Sequence, residues 1–224
     1  MDFRKKQKIS AFIWRRYSVT FERVNGTPLN LMFTRAHNDI PTFPDRVSLW
    51  RYISQVFLKD EPIDYLEFGV FKGDSIRKWC SLNDSLESRF YGFDTFTGLP
   101  EDWFEGFGRD AFSTDGETPK IQDSRVHFIK GLFQDTLYDF LKNYERQNRI
   151  VVHIDSDLYS SALFVLLSLH YRLERNDVII FDDFLDPLGE FKAFDDYCRS
   201  FQVRPKPIAS VKFGKLTDKC AFIF

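Results

Sequence analysis

The stretch Asp64-Tyr-Leu-Glu-Phe-Gly-Val-Phe-Lys-Gly-Asp-Ser75 decides the fold of this chain. Its apolar, β-favouring beginning reaches Glu67, and the chain then turns through Gly69 and Gly73 before a helical segment begins. A strand, a glycine turn and a helix N-terminus in this order are typical of a nucleotide-type cofactor site. The spacing differs from the Gly-x-Gly-x-x-Gly dinucleotide motif, and the carboxylate of Glu67 would repel a pyrophosphate. The stretch therefore predicts a cationic or hydroxylated cofactor.

From this stretch onward, predicted strands alternate with predicted helices along the chain. The strands are a first one from residue 63, then Arg89–Asp94, Val126–Lys130, Arg149–Ile154, Val178–Phe181 and a terminal hairpin within 203–224. This alternation predicts an α/β fold: a doubly wound, Rossmann-like, mostly parallel seven-stranded sheet that ends in an antiparallel hairpin. We expect residues 61–224 to form this domain and residues 1–60 to form an N-terminal helical extension.

The N-terminal extension contains two predicted helices. Residues 1–24 are basic with interleaved apolar positions, which favours a surface helix over a role in binding a membrane surface or an anionic substrate. Residues 45–58 are predicted to be an amphipathic helix with Asp45 as its N-cap. Its inward positions are predicted to be Val47, Trp50, Ile53, Val56 and Phe57. These helices are expected to cap the site or to contact a second subunit of a homo-oligomer.

Composition limits the class of protein. The chain has 224 residues, a net charge of −2 and three widely separated cysteines. The charge argues against a nucleic-acid partner, and the cysteines argue for a reducing compartment and against a disulfide framework. No apolar run approaches the length of a membrane span. The expected location is cytoplasmic.

Asp94 closes the second predicted strand of the domain. An acid at this position in nucleoside-binding α/β folds accepts hydrogen bonds from both ribose hydroxyls, and we expect the same of Asp94. The alternative is that its side chain starts the turn over residues 95–98 by bonding to backbone.

Further acids close the later strands, in His153-Ile-Asp155-Ser-Asp157 and in Phe181-Asp182-Asp183. The carboxyl ends of neighbouring parallel strands meet at one edge of a sheet, where such folds bind ligands. Three carboxylates that converge there repel one another unless a cation lies between them. Oxygen ligands predict Mg²⁺, with Mn²⁺ and Ca²⁺ as alternatives, at Asp155, Asp182 and Asp183. The alternative is helix capping by Asp157 and Asp183.

Two other features are assigned from the residues alone. His153 lies in an apolar strand, where a hydrogen-bonded core histidine is expected. The aromatic loop at residues 101–118 is predicted to be either surface packing or a substrate lid, because long irregular loops in compact domains are often functional.

Together, these stretches resemble the class I S-adenosylmethionine-dependent O-methyltransferases, and most of all the macrocin O-methyltransferase (TylF) family. The likeness lies in residues 65–75, 92–100, 130–137, 155–161 and 180–183. It implies a metal-dependent O-methyltransferase that moves a methyl group from S-adenosylmethionine to a hydroxyl of a small-molecule substrate, which is a sugar or a glycosylated natural product. The alternatives are a catechol-like small-molecule O-methyltransferase and a non-catalytic domain that binds S-adenosylmethionine.

The resemblance also implies roles for individual residues. Those expected to surround the cofactor are Glu67, Gly69, Phe71, Gly73, Ser75, Asp94, Thr95, Gly131, Phe133, Gln134 and Asp155. It supports the same three acids as metal ligands and gives Asp155 a catalytic part. Catechol-type enzymes carry a lysine where this chain has Leu158, so Asp157 is the candidate general base, with water as the alternative acceptor.

Overall fold

We analysed a computed structural model that describes residues 23–24, 27–103 and 107–224. The helix predicted within residues 1–24 lies almost entirely outside these ranges and stays a prediction. Among the described residues, no helix combines the length and the apolar character that crossing a membrane requires.

From residue 63 onward the helices and strands follow the predicted order, whereas the helix Leu29–Ala36 and the strand Thr42–Phe43 were not predicted. The helices are α1 (Leu29–Ala36), α2 (Arg46–Tyr52), α3 (Asp74–Leu82), α4 (Phe133–Asn143), α5 (Tyr159–Leu169) and α6 (Glu190–Phe201). The strands of the main sheet are β1 (Thr42–Phe43), β2 (Ile63–Phe68), β3 (Arg89–Asp94), β4 (Val126–Lys130), β5 (Arg149–Ile154), β6 (Val178–Phe181), β7 (Lys206–Phe213) and β8 (Leu216–Ile223). Arg23–Val24 and Thr27–Pro28 form a separate antiparallel pair.

The main sheet has eight strands in the order β1-β7-β8-β6-β5-β2-β3-β4. Strands β2 to β6 are parallel, whereas β8 runs antiparallel to both β6 and β7. The predicted fold class, a mostly parallel Rossmann-like sheet with an antiparallel C-terminal pair, is confirmed. The eighth strand is β1, a two-residue segment that pairs with β7 and is too short to leave a pattern in the sequence. The predicted boundary between residues 60 and 61 stays a prediction.

The order of the strands places the site. The chain moves from β2 to β3 and β4 on one side and returns through β5 and β6 on the other, so the direction of winding changes between β2 and β5. Helices cover both faces of the sheet. Alternate residues of the central strands accordingly pack into two different hydrophobic clusters. Sheets of this kind bind ligands at the change of direction, beyond the carboxyl ends of the strands.

The predicted helix over residues 45–58 differs from the one observed. Asp45 is its N-cap as predicted, since its Oδ1 accepts a hydrogen bond from the Ser48 N–H at 2.8 Å. After Tyr52 the chain continues as a π-helix over Ile53–Leu58. The wider turn rotates the later side chains, so Val56, predicted to face inward, is 48% exposed.

A buried carboxylate joins several elements at the opposite, amino end of the sheet. Asp64 on β2 is fully buried and accepts hydrogen bonds from the guanidinium of Arg89, from the Tyr144 hydroxyl at 2.6 Å and from the side chain of Asn148 at 3.1 Å. Burial raises the pKa of Asp64, but the hydrogen bonds from Arg89 and Tyr144 outweigh it and hold that pKa below its usual value.

Candidate active site

The turn after β2 packs directly against the end of β5. Gly69 has a φ of +96°, and a Cβ atom at this position would lie 1.9 Å from the carbonyl oxygen of Asp155. Gly73 has a φ of +76° and immediately precedes α3. Only glycine combines this backbone conformation with so close an approach of two chain segments. Gly69 is therefore required by the contact with the end of β5, whereas Gly73 is required by its positive φ and by the close approach of Pro119.

Asp94 holds this turn in place. Its carboxylate accepts hydrogen bonds from the N–H groups of Val70 at 2.8 Å, Phe71 at 2.7 Å and Phe96 at 2.7 Å. A carboxylate has about four acceptor positions, so about one is left for a ligand. The alternative role considered for Asp94, starting its own turn, is thus present, and the binding of ribose hydroxyls by Asp94 stays a prediction.

Glu67 is fully buried at the end of β2. Among the described residues, neither of its carboxylate oxygens has a hydrogen-bond partner of ordinary geometry, although the hydroxyls of Ser75 and Tyr65 lie near enough to lower its pKa. Burial, the largest influence, raises the pKa of Glu67 well above its usual value. A buried carboxylate without a partner destabilises the protein, and a positively charged ligand would stabilise it.

Replacing this carboxylate should therefore stabilise the free protein. We expect Glu67→Gln to raise the free energy of unfolding by about 1–3 kcal/mol at about pH 8, because a neutral amide costs less to bury. The pKa of Glu67 is higher in the folded protein than in the unfolded chain, so this group lowers wild-type stability as the pH rises above about 4. The stability advantage of Glu67→Gln should therefore vanish near that pH.

Denaturant titrations at several pH values measure this effect. Glu87→Gln is the matched control: Glu87 is exposed, so we expect a change within about 0.5 kcal/mol. A Glu67→Gln variant that is less stable than wild type at both ends of the pH range would contradict the prediction.

The acids that close β5 and β6 form two overlapping groups. In one, Asp155, Asp157 and Asp183 each offer an oxygen atom, and these atoms all lie within 4.8 Å of one another. In the other group, His153, Asp155 and Asp182 each offer one ligand atom, and these atoms also lie within 4.8 Å of one another. Asp155 belongs to both groups. The structure therefore brings Asp155 and Asp183 together as predicted, but it adds Asp157 to them and places Asp182 in the second group.

Asp157 does not cap the helix that follows it. It is buried with a φ of +62°, and the N-cap position of α5 is Leu158, with no hydrogen bond from a side chain. The capping role considered for Asp157 is thus wrong. Burial, followed by the negative charges of Asp183 and Asp155, raises the pKa of Asp157 well above its usual value. A carboxyl group with a raised pKa is a stronger base once it is ionised.

Glu190 organises both acidic segments, a role that sequence reasoning missed. Its Oε1 accepts hydrogen bonds from the N–H groups of Ser156 at 2.9 Å and Asp157 at 3.3 Å, while Oε2 accepts one from the Asp183 N–H at 3.1 Å. Glu190 is fully buried in the first turn of α6. One carboxylate from a later helix thereby sets the backbone at the ends of β5 and β6.

Two cations of the chain reach Asp182, and sequence reasoning missed these as well. Nη1 of Arg46 lies 3.4 Å from Oδ2 of Asp182 and 3.9 Å from Oδ2 of Asp155. Nζ of Lys219 lies 3.1 Å from the same Asp182 oxygen and 2.5 Å from the Asp182 carbonyl oxygen. The only signal for Lys219 was a charge beside the apolar run Cys220–Phe224. Arg46 gave no signal, because it lies 136 positions from Asp182.

His153 is the core histidine that was predicted. It is fully buried, and its Nδ1 lies 2.6 Å from the hydroxyl of Tyr65 on the neighbouring strand. Its Nε2 lies 3.9 Å from Oδ1 of Asp182. His153 and Tyr65 thus connect the strand that carries Glu67 with the acids at the end of β6.

A single cavity of about 660 Å³ joins these parts. The predicted cofactor residues that line it are Gly69, Phe71, Ser75, Asp94, Thr95, Phe133, Gln134 and Asp155. Glu67, Gly73 and Gly131 are not part of its lining. Arg46, Asp157, Asp183 and Lys219 line the same cavity, so the glycine turn and the acids face one space.

The aromatic loop forms another wall of the cavity. Trp103 and Phe112 line it, and the Trp103 indole N–H donates a hydrogen bond to Asp186 at 3.3 Å. The ring of Phe112 lies 5.7 Å from that of Phe71 in the glycine turn. Residues 104–106 of the predicted lid lie outside the described part of the chain, and the opening and closing of a lid stays a prediction.

The sequence profile of a family described as a methyltransferase domain matches residues 66–184, just over half of the chain. The chain belongs to this methyltransferase family. The match begins within β2 and ends just after the acids that follow β6, so it contains both the glycine turn and the acid cluster. No curated protein sequence is a significant match.

Solved structures support the fold of this methyltransferase. One described as the O-methyltransferase NovP is 20% identical, with 80% of this chain and 78% of that chain covered and a TM-score of 0.60. The calicheamicin methyltransferase CalS11 is 16% identical, with 100% and 94% covered and a TM-score of 0.59. A structure described as cmcI-D160 Mg-SAM is 15% identical, with 80% and 72% covered and a TM-score of 0.53.

Proposed function

We propose that this methyltransferase transfers the methyl group of S-adenosylmethionine to a hydroxyl oxygen, with a divalent cation at the acid cluster. The observation that carries the proposal is that one cavity contains both the glycine turn beside Glu67 and the carboxylates of Asp155, Asp157 and Asp183. Within its family, the macrocin O-methyltransferase (TylF) group is the proposed kind. The acceptor is a sugar or a glycosylated natural product.

The cofactor part of the proposal rests on the charge of the buried acids and on the acceptor position left at Asp94. S-adenosylmethionine carries a positive sulfonium and an ammonium group, which suit a cavity with buried acids beneath it. Asp94 has about one acceptor position for a ribose hydroxyl. The neighbour described with Mg and SAM supports the same donor.

The residues at the acid cluster suit a hard cation. All donor atoms of Asp155, Asp157 and Asp183 are carboxylate oxygens, the ligand type that Mg²⁺ prefers. The guanidinium of Arg46 lies between Asp155 and Asp182, so these acids already accept a positively charged side chain as a neighbour. Asp155 and Asp183 are the proposed ligands, with Asp182 as the third. A bound divalent cation would supply Lewis acidity and a template for two adjacent acceptor oxygens.

The sugar part of the proposal has two supports. CalS11 is also described as a TDP-rhamnose 3'-O-methyltransferase, a protein that acts on a sugar hydroxyl. The aromatic wall of Trp103 and Phe112 offers the flat apolar surface on which a sugar ring packs, while the acids offer hydrogen-bond acceptors for its hydroxyls.

In the proposed reaction, the chain's own residues position the two reactants and accept one proton. The acceptor oxygen attacks the methyl carbon in line, the O–CH₃ bond forms as the S–CH₃ bond breaks, and S-adenosylhomocysteine leaves with the sulfur electron pair. Asp157 accepts the hydroxyl proton, since one of its carboxylate oxygens lies within 4.8 Å of oxygens of Asp155 and Asp183 in the same cavity. Asp155 and the glycine turn fix the relative position of donor and acceptor, which is the larger source of rate.

Calorimetry with S-adenosylhomocysteine, followed by a screen of hydroxylated sugars with labelled donor, tests the proposal. We expect binding of S-adenosylhomocysteine, no binding of NAD, and methyl transfer that stops in chelator and returns with Mg²⁺. Transfer to catechols alone would favour the catechol-like alternative, and binding without transfer the non-catalytic one. Full activity in chelator would remove the metal from the proposal, and failure to bind S-adenosylhomocysteine would overturn it.

A further inference from the structure

Arg46 is a cation that the chain itself inserts between two of the site's acids. It is the first residue of α2, and its Nη1 faces Oδ2 of Asp182 at 3.4 Å and Oδ2 of Asp155 at 3.9 Å. These carboxylates come from the ends of neighbouring strands, β5 and β6. One guanidinium therefore contacts both Asp155 and Asp182. Both acids are predicted metal ligands, and both belong to the group that includes His153.

The two cations near Asp182 differ in how firmly they are held. Lys219 is 8% exposed, and its ammonium group is fixed by both the carboxylate and the carbonyl oxygen of Asp182. The Arg46 side chain is 30% exposed and lines the cavity. Its guanidinium carbon lies 5.2 Å from the centre of the Trp50 ring, a face on which a cation is stabilised. Both side chains line the cavity, but Arg46 is the more exposed of the two and makes fewer close contacts with Asp182.

A guanidinium and a divalent cation cannot both occupy this position. A Mg²⁺ or Mn²⁺ ion that binds Asp155 lies about 2.0–2.2 Å from its oxygen, and the Arg46 nitrogen is already within 4 Å of one oxygen on each acid. Two positive groups so close together repel strongly in a partly buried site. One of them has to leave.

We propose that Arg46 is the internal counter-ion of the free site and that a divalent cation displaces its guanidinium on binding. The inference rests on the cation site of the proposed function. It makes α2, a helix from outside the family match, a part of the metal chemistry: the arginine limits repulsion between the acids before the cation arrives and lowers the apparent affinity for that cation.

Direct Mn²⁺ titration of the full chain, with free Mn²⁺ measured by electron paramagnetic resonance, tests this exchange. We expect Arg46→Met to bind Mn²⁺ at least about tenfold more tightly than wild type, because methionine fills a similar volume without competing for the acids. In chelator the variant should unfold at a lower temperature than wild type, and saturating Mn²⁺ should remove that difference. Arg46→Gln is the second variant and should change affinity in the same direction.

The matched control is Arg51→Met, which removes the same charge from the exposed side of the same helix. We expect its Mn²⁺ affinity to stay within about twofold of wild type, since exposed charges are screened by solvent and salt. Equal or weaker binding by both Arg46 variants would overturn the exchange alone, and so would an equal gain in Arg51→Met. If no variant and no wild-type protein bound Mn²⁺, the exchange and the metal part of the proposed function would both fall.

Discussion

Asparagine in place of Asp155 is expected to lower kcat for methyl transfer by at least about 1,000-fold, a loss of about 4 kcal/mol of transition-state stabilisation. Asp155 is the residue common to both acid groups, and its carbonyl oxygen is in contact with Gly69 of the glycine turn. The substitution keeps the shape of the side chain and removes the negative charge that is proposed to bind the cation. The backbone contact with the turn is retained.

The comparison of kcat with stability separates chemistry from folding. The Asp155 side chain is 22% exposed, so we expect Asp155→Asn to unfold at the wild-type temperature or slightly above it, because one repelling charge is gone. Asp135→Asn, on the exposed side of α4, is the control and should keep wild-type activity. Turnover by Asp155→Asn within about tenfold of wild type would contradict the role assigned to this residue.

The second large effect is expected on stability, at the other end of the sheet. We predict that Asp64→Asn lowers the free energy of unfolding by about 3–5 kcal/mol, because it leaves the Arg89 guanidinium without its buried partner. The Tyr144 hydroxyl and the Asn148 amide, which donate to the same carboxylate, also lose a charged acceptor. Denaturant titration with a constant slope measures the change.

The pH dependence provides a second measurement. The pKa of Asp64 is lowered in the folded state, so its contribution is fully present above the unfolded value of about 3.9 and is lost as the pH falls through the folded pKa. The difference in free energy of unfolding between wild type and Asp64→Asn should therefore be constant above about pH 5 and shrink in acid.

Asp74→Asn is the control: it breaks the exposed pair with Arg77, which should cost less than about 1 kcal/mol. Equal effects of the two substitutions would contradict the prediction that Asp64 contributes more to the free energy of unfolding than an exposed carboxylate does.

Local pattern was enough for much of the site. Glu67, Asp94, Asp155 and Asp182 were each predicted at the end of a strand, and each is found there. The reason is that a parallel strand buried on both faces is a short apolar run, and the first acid after it marks its end. Glycines at positive φ mark the turn in the same way, because other residues are strained there.

Pattern could not decide which acids meet. Asp182 and Asp183 are adjacent in sequence, yet one lies with Arg46 and Lys219 and the other with Asp157. Successive residues after a strand point in different directions, and their partners are chosen by the backbone that Glu190 fixes from α6. The exposure of Val56 was also not predicted, since the π-helix over Ile53–Leu58 differs from the α-helix that the sequence pattern indicated.

The sequence by itself determined the order of strands and helices from residue 63 onward, the class of sheet, the glycine turn and the set of acids at its carboxyl edge. These properties depend on burial and backbone conformation at neighbouring positions, which the residue types record directly. Only the tertiary structure decided that Arg46 and Lys219, from opposite ends of the chain, both contact Asp182. These contacts join positions 136 and 37 residues apart, and they leave no periodic trace in a single sequence, because each residue alone is compatible with an ordinary exposed surface.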